Sequence, residues 1–352
     1  MKPSALIRLL AHAFQHRLKV LIVSEPGIGK SALVELAASQ VGADLYATTM
    51  DPNKGGADLV TMHPAVSDPT DFKGMPAVVT SGKRSFAEFL PFGNLRKLVE
   101  ATSLTICFID DIGQAPHAVQ AALMQLIHAR EVDGQKISPH VVFVGATNDS
   151  SHMAGVSSIL EPVKSRWDTI VPLVSDVDDW VTWALSPEAA MPPQLVAFIR
   201  FRPALLNAFK ATRELKNSPS PRTVAAVGRW VTSGIEDPPV IGGAAGEGFA
   251  TEFTAFMHVW RSMPDLEGIL ANPTTAALPD FGNPSLTVSL ATAIAYKANA
   301  KNFAAVITYL SRFPQEYEVF AIRDATARDK TLMSHEAYTK WLIANHSVFS
   351  GA

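Results

Sequence analysis

The chain has 352 residues, of which 47% are hydrophobic and 18% are charged, and its formal net charge is −3. This length allows two or three globular domains. The charge leaves no basic excess to neutralise nucleic-acid phosphates, so nucleic acid is not expected as the main partner. The single cysteine, Cys107, excludes an intramolecular disulfide and fits a reducing cytoplasm, which is the predicted location.

The first predicted helix, residues 4–16, could be mistaken for a targeting sequence, but Arg8, His12 and His16 interrupt its apolar residues. No apolar stretch of the sequence reaches the roughly 18 residues that a membrane span requires, so no membrane association is expected. His12 and His16 lie one helical turn apart, which is a spacing that metal ligands use, but no carboxylate lies between them on that face. A solvated helix face is the favoured interpretation.

Up to residue 173, short apolar runs alternate with segments of helical periodicity. This alternation predicts an α/β fold with a five-stranded parallel sheet flanked by helices. The predicted strands are residues 19–24, 45–50, 104–110, 141–147 and 169–173, and the predicted helices are residues 4–16, 30–40, 95–101 and 115–129. Beyond residue 173, helical segments separated by prolines predict an all-α lid and a C-terminal helical region, with a late helical stretch at residues 287–312.

Residues 24–31 read Ser-Glu-Pro-Gly-Ile-Gly-Lys-Ser and stand between the first predicted strand and the second predicted helix. A polyphosphate is bound by converging backbone N–H groups, a helix N-terminus, a lysine and a hydroxyl that reaches Mg²⁺. This segment can supply all of them and predicts a phosphate-binding loop, although it begins with Ser24 where the consensus has glycine. The predicted nucleotide-binding residues are Pro26, Gly27, Ile28, Gly29, Lys30, Ser31 and Ala32.

Polar residues end two further predicted strands: Asp110 and Asp111 after one, and Asn148 after the next. Because the carboxyl ends of parallel strands line one crevice, all three should emerge beside the loop. Asp110 is then placed to hold Mg²⁺ together with Ser31, and Asp111 to polarise the attacking water. Asn148 can contact a γ-phosphate or orient that water. Capping and turn formation are the alternatives for these residues, and a surface salt bridge is the alternative for Arg166, which precedes the last strand.

Taken in order, the phosphate loop, the Asp-Asp strand, the strand ending in Thr-Asn and the Ser-Arg-Trp segment at residues 165–167 resemble the AAA+ ATPases. The resemblance is closest to the MoxR-like branch of the helix-2-insert clade, a dynein-related type. It covers about residues 17–230, and residues 68–76 and 220–222 also look like that branch. It implies that the predicted α/β fold is a P-loop AAA+ core.

The resemblance also implies a role for each of the polar residues in turn. The implied roles are Walker A for Lys30 and Ser31, Walker B for Asp110 and Asp111, sensor 1 for Asn148, arginine finger for Arg166 and sensor 2 for Arg222. The family usually has Asp-Glu at Walker B, and Asp111 is one methylene shorter than glutamate. A carboxylate that falls about 1 Å short of the lytic water can cost on the order of 100-fold in rate, so slow turnover is expected.

The same resemblance sets the expected domain boundaries. Residues 1–173 would form the nucleotide-binding core, 174–240 the helical lid that carries sensor 2, and 241–352 a C-terminal helical extension. Within the core, the helix-2 insert would fall at about residues 74–92 and the pre-sensor hairpin at about 131–139, where Asp133-Gly134 favours a tight turn. The glycine-rich run at residues 242–248 has no preceding strand and no Lys-Ser, so a flexible connection or a helix boundary is expected there.

The function that the resemblance implies is ATP hydrolysis with Mg²⁺ between the subunits of a homo-oligomeric ring, which would contain six subunits. The ring would remodel, activate or assemble a protein client, including proteins with a von Willebrand factor A domain. A nucleotide-gated scaffold that scarcely hydrolyses ATP is one alternative, and a nucleic-acid motor or loader is another. Lys83, Arg84 and Phe86 in the insert are candidates for client contact, with an ordinary exposed loop as the alternative.

Overall fold

The computed structural model describes residues 1–49, 57–132, 134–149, 159–212 and 214–346. The chain divides into two units, Met1–Val174 and Ser175–Ala352. The first unit contains every strand of the described residues. In chain order these are β1 (Val20–Ser24), β2 (Asp58–Met62), β3 (Met75–Ser81), β4 (Arg84–Leu90), β5 (Thr105–Ile109), β6 (Glu131–Val132), β7 (Gln135–Lys136), β8 (Val141–Asn148) and β9 (Thr169–Pro172).

Five of these strands form one parallel sheet in the order β2-β5-β8-β1-β9, which confirms the predicted α/β fold. The register pairs Ser24 with Asn148 and Ile109 with Gly145, so β1, β5 and β8 end at the same edge of the sheet. Their carboxyl ends are therefore where a ligand crevice is expected in an open parallel sheet.

The first unit contains six α-helices in the described residues: α1 (Pro3–His16), α2 (Lys30–Thr49), α3 (Thr70–Lys73), α4 (Gly93–Glu100), α5 (His117–Ala129) and α6 (Glu161–Lys164). The sheet has a hydrophobic core on each face because successive strand residues point to opposite sides. In β5, Ile106 and Phe108 belong to the core that α1 and α2 share, whereas Cys107 and Ile109 belong to the core of α4 and α5. Burial raises the pKa of the Cys107 thiol, so this cysteine is a core residue rather than a reactive one.

The predicted strand at residues 45–50 is wrong. Helix α2 continues to Thr49, and Met50 lies outside the described residues. The strand is β2 instead, which pairs with β5 from Asp58 opposite Thr105 to Met62 opposite Ile109. The error has a physical cause, because a short apolar run such as Leu-Tyr-Ala-Thr-Thr fits a helix or a strand by periodicity alone.

Two small hairpins of the first unit are separate from the parallel sheet. β3 and β4 pair antiparallel within the predicted insert, and every residue of β4 is exposed. β6 and β7 pair within residues 131–139, where Gly134 adopts a positive φ of 84°, while Asp133 of the predicted turn lies outside the described residues. The names that the resemblance gives these hairpins stay predictions.

The regular elements in the described residues of the second unit are all helices, as the fading strand signal predicts. Its helices are α7 (Val177–Ala184), α8 (Pro193–Phe201), α9 (Pro221–Thr232), α10 (Pro238–Ala245), α11 (Glu247–Arg261), α12 (Leu266–Ala271), α13 (Pro284–Lys297), α14 (Phe303–Leu310), α15 (Gln315–Arg328) and α16 (Glu336–Ala344). One of its cores is aromatic, with the ring of Phe198 5.2 Å from those of Phe249 and Phe253 and 5.4 Å from that of Phe256.

At two places in this unit, the predicted helical segments are divided by a turn. The glycine-rich run is a helix boundary: α10 ends at Ala245, and Gly246 turns the chain into α11 with a φ of 96°. The stretch predicted as helical at residues 287–312 is two helices, because Asn299 and Asn302 cap a tight turn between α13 and α14. Within the described ranges, no helix combines the length and apolar character needed to cross a bilayer.

A buried ion pair joins α8 and α15 in the second unit. We expect a large loss of stability when this pair is broken. Asp324 Oδ2 accepts from Arg200 Nε at 2.8 Å, and a second guanidinium nitrogen donates to Oδ1. The Asp324 side chain is 8% exposed, so Asp324→Ala leaves the arginine without its buried partner. We expect the free energy of unfolding to fall by about 3–5 kcal/mol in denaturant titration.

Asp178 provides the matched control, because it also contacts Arg200, at 3.1 Å, but is 57% exposed. Asp178→Ala should change stability by less than about 1 kcal/mol, as exposed pairs do. Equal losses in the two variants would show that burial does not set the strength of this pair.

Candidate functional site

The predicted phosphate loop leaves β1 at Ser24 and enters α2 at Lys30. Gly27 and Gly29 adopt positive φ values of 80° and 103°, which residues with a Cβ rarely adopt. A Cβ built on Gly29 would meet no atom within 4 Å, so the loop borders open space at this point. The backbone is therefore shaped as a cradle at the N-terminus of a long helix, where anions are stabilised.

Ser24 does not need to be glycine in this structure. It is the last residue of β1, it has no positive φ, and it is 5% exposed. Its hydroxyl oxygen accepts a hydrogen bond from Lys30 Nζ at 3.1 Å and donates to the Glu25 carbonyl at 2.8 Å. From the sequence, Ser24 is only a departure from the consensus, although a hydroxyl six residues before the lysine is a signal for this hydrogen bond.

Lys30 lies at the centre of the site and is 7% exposed. Besides Ser24, its ammonium group donates to Asn148 Oδ1 at 2.7 Å. The register between β1 and β8 places Ser24 beside Asn148 at the ends of adjacent strands. Lys30 can therefore donate to both side chains. The structure thus brings the predicted sensor residue into direct contact with the predicted lysine.

The two acids after β5 have different partners. Asp110 Oδ2 accepts from the Ser31 hydroxyl at 2.8 Å, and its Oδ1 accepts from the backbone N–H of Asp111 at 3.0 Å. Asp111 Oδ1 accepts from Asn148 Nδ2 at 3.3 Å. Asp110 therefore faces the hydroxyl and Asp111 faces the amide, which separates the predicted metal ligand from the predicted water-polarising group.

The backbone at Asp111 is left-handed, with φ 53° and ψ 41°. Short polar residues tolerate this conformation better than longer ones, since their side chains hydrogen-bond locally. The structure therefore gives a reason for aspartate at a position where the AAA+ ATPases that the sequence resembles usually have glutamate. The shorter side chain suits the local backbone and still reaches Asn148.

Arg166 is not part of this hydrogen-bonded set. It follows α6 and is half-buried, and its Nε is buried with no hydrogen-bond partner in the described part of the chain. No ion pair of Arg166 is found in that part of the chain, and the surface salt bridge stays an alternative. The next residue, Trp167, is 7% exposed and belongs to the core of α4 and α5.

The remaining predicted residues lie elsewhere. Arg222 is in the second unit, at the second position of α9, whose N-terminus is capped by Ser220 and Thr223. Arg84 and Phe86 lie in the exposed strand β4, and Lys83 precedes it. Their roles stay predictions.

The polar side chains at this edge of the sheet fit Mg²⁺ and a nucleoside triphosphate. Ser31 and Asp110 offer a hydroxyl and a carboxylate oxygen, the hard ligands that Mg²⁺ prefers, and this ion usually takes its other ligands from phosphates and water. Within the described ranges there is no group of three or more histidine, cysteine or acidic side chains that could hold a metal by itself. The lysine and the glycine cradle supply the complementary positive potential for phosphates.

The sheet order, the glycine loop between β1 and α2 and the acids after β5 define a P-loop protein with the AAA+ fold, followed by a helical C-terminal region. Residues 19–167 match the family model of the AAA domain of the dynein-related subfamily. The matched segment contains the loop, both acids, Asn148 and Arg166. Residues 168–352 lie outside it.

Solved structures similar to the chain include a mutant of RuvB from Thermotoga maritima, with 16% identity over 87% of this chain and 85% of that chain and a TM-score of 0.42. NtrX from Brucella abortus in complex with ATP shares 14% identity over 94% of this chain and 67% of that chain, also with a TM-score of 0.42. No curated protein sequence matches the chain. At these identities and TM-scores, the structural likenesses support no inference about activity.

Proposed function

We propose that the chain is an ATPase of the MoxR-like type, which binds ATP with Mg²⁺ at the carboxyl edge of the sheet and hydrolyses it within a ring of identical subunits. The observation that carries this proposal is the convergence of a lysine, a hydroxyl, two acids and an amide around an open glycine loop. These residues are Lys30, Ser31, Asp110, Asp111 and Asn148.

Different residues of the site would bind the phosphates and the Mg²⁺ ion. Lys30 places a buried positive charge beside the glycine cradle, where the β- and γ-phosphates of ATP would be neutralised. Ser31 and Asp110 would hold Mg²⁺, which supplies further neutralisation of the phosphate oxygens. Asn148 bridges Lys30 and Asp111, so it links phosphate binding to the residue that acts on water.

In the hydrolysis step, Asp111 accepts a proton from a water molecule whose oxygen forms a bond to the γ-phosphorus. The bond from that phosphorus to the bridging oxygen breaks, and ADP leaves with the electron pair. Asn148 donates its amide N–H to Asp111 and so holds the carboxylate in orientation. Arg166 of a neighbouring subunit would stabilise the charge that develops, which ties turnover to ring assembly.

The proposed output is the remodelling, activation or assembly of a protein client, following the MoxR-like resemblance. Arg222 would sense the nucleotide from the helical unit. The exposed β3–β4 hairpin, with Arg84 and Phe86, is a candidate for client contact. The net charge of −3 gives no support to a nucleic-acid motor.

The first test is Lys30→Ala, which removes the buried ammonium group from the loop. Hydrogen bonds to charged groups are worth about 1.5–3 kcal/mol each, so we expect ATP affinity to fall by about 10- to 150-fold. Calorimetric titration with ATP and Mg²⁺, together with phosphate release at high protein concentration, measures both binding and turnover. Lys97→Ala, which changes an exposed lysine on α4, is the control and should bind ATP as the wild-type protein does.

Two outcomes would contradict the proposal in different ways. Unchanged ATP binding in Lys30→Ala would show that the loop is not the nucleotide site. Tight binding in the wild-type protein without phosphate release would favour the nucleotide-gated scaffold over the ATPase.

A further inference from the structure

We infer that Trp167 is a positioning residue that sets the location of Arg166 relative to the strand ends carrying Asp111 and Asn148. The inference rests on the proposed function, because it concerns the residue next to the proposed arginine finger. The evidence for it is the set of contacts that the indole ring of Trp167 makes.

The outer edge of the Trp167 ring packs against the backbone of Gly145 in β8. A Cβ built on Gly145 would lie 2.7 Å from both Cη2 and Cζ2 of the indole, and 2.7 Å from Cδ1 of Ile112. Carbon atoms do not sustain such distances, so only a residue without a side chain fits under the ring. Trp167, Ile112 and the strand are therefore packed without room for one methyl group.

The residues that contact the indole ring or pack with it are close in sequence to Asp111 and Asn148, the two residues that would position water. Ile112 is fully buried and follows Asp111. Gly145 lies three residues before Asn148 in the same strand. The indole ring is thereby packed against the part of β8 and the buried residue that lie next to Asn148 and Asp111, while those two side chains hold each other through their own hydrogen bond.

The residue after Trp167, Asp168, is hydrogen-bonded to Lys19, which directly precedes β1. The backbone N–H of Lys19 donates to Asp168 Oδ2 at 2.7 Å, and the N–H of Asp168 donates to the Lys19 carbonyl at 3.0 Å. The segment is thus held after Trp167 by hydrogen bonds and at Trp167 by packing.

The backbone N–H of Arg166 donates to the Val163 carbonyl at 3.3 Å, but its side chain has no comparable attachment in the described residues. In the described part of the chain its guanidinium forms no ion pair, and its Nε is buried without a hydrogen-bond partner. Its placement therefore depends on the adjacent residue. Because a misplacement of about 1 Å can cost on the order of 100-fold in rate, the fit of Trp167 against Gly145 would govern how well the finger acts.

The test begins with Trp167→Leu, which keeps an apolar side chain but removes the ring edge that faces Gly145. We expect kcat to fall by about 10- to 100-fold while KM and the Kd for ATP stay within about 2-fold. Trp180→Leu is the matched control, because Trp180 is also 7% exposed and its indole N–H is also unpartnered in the described residues, but it lies in the second unit. Its kcat should change by less than about 3-fold.

Mixed oligomers separate positioning of the finger from general damage. If Trp167 acts through Arg166, then Trp167→Leu subunits have a sound nucleotide site and donate a defective finger. Mixing them with Lys30→Ala subunits, whose own finger is intact, should restore turnover at some sites. Mixing them with Arg166→Ala subunits should restore none, because both partners fail in the same way.

Recovery with Arg166→Ala, or no recovery with either partner, would overturn the inference. If Trp167→Leu does not fold, Trp167→Phe provides the same comparison, since it removes the outer ring with a smaller loss of volume. A fall in turnover for Arg166→Ala without one for the Trp167 variants would overturn this inference alone. Absence of ATP hydrolysis in the wild-type protein would overturn the proposed function and, with it, this inference.

Discussion

Arg166→Ala is expected to lower ATP turnover by about 10³- to 10⁵-fold while ATP binding is retained, which is the effect of removing an arginine finger. The physical reason is that a guanidinium is needed only when charge develops on the transferring phosphoryl group. In the structure, Arg166 lies outside the hydrogen-bonded set of Lys30, Asp110, Asp111 and Asn148. Its loss should therefore leave the nucleotide site intact in each subunit.

Single-turnover phosphate release and ATP titration measure the two quantities separately. Arg96→Ala is a suitable control, because it removes an exposed arginine of the same unit whose pair with Glu100 is worth little. If the finger acts in trans, mixed oligomers of Arg166→Ala and Lys30→Ala should recover activity that neither variant has alone. A failure to recover at every mixing ratio would contradict action between subunits.

Asp111→Asn is expected to retain ATP binding and to lose turnover by about 10²- to 10⁴-fold, as when a general base is removed. Asparagine tolerates the left-handed backbone at this position as aspartate does, so the fold should be preserved. What changes is the proton acceptor, since an amide cannot take the proton of the attacking water. Steady-state phosphate release and ATP affinity, measured on the same preparation, check this expectation.

Asp58→Asn is the matched control, because it changes an exposed aspartate of β2 that lies at the amino end of its strand. Its turnover should equal that of the wild-type protein. Unchanged turnover in Asp111→Asn would mean that another group accepts the proton, and lost ATP binding would mean that Asp111 is part of the phosphate site.

The sequence predicted the local backbone features correctly where each depends on a short segment. The loop at residues 24–31 requires two glycines followed by Lys-Ser, and the structure places positive φ at both Gly27 and Gly29. The strand ends are similarly local, because an apolar run that stops at a polar residue marks the end of a buried strand. These features need no knowledge of distant contacts.

Other features depended on packing between distant segments. The second strand was misplaced because residues 45–49 fit a helix as well as a strand, and only pairing with β5 selects Asp58–Met62. Ser24 looked like a defect of the loop, but its hydroxyl binds Lys30. The left-handed backbone that favours the shorter Asp111 could not be read from the sequence, and the slow turnover expected from this residue stays a prediction.

The order of the strands, the glycine loop and the polar residues at the strand ends could be predicted without the fold, because these features follow from local periodicity and short-range spacing. The hydrogen bonds of Asn148 to Lys30 and Asp111, and the packing of Trp167 against Gly145, could be seen only in the folded chain. Those contacts join residues that are far apart in the chain, and they exist because parallel strands bring their ends to one edge of the sheet in a fixed register.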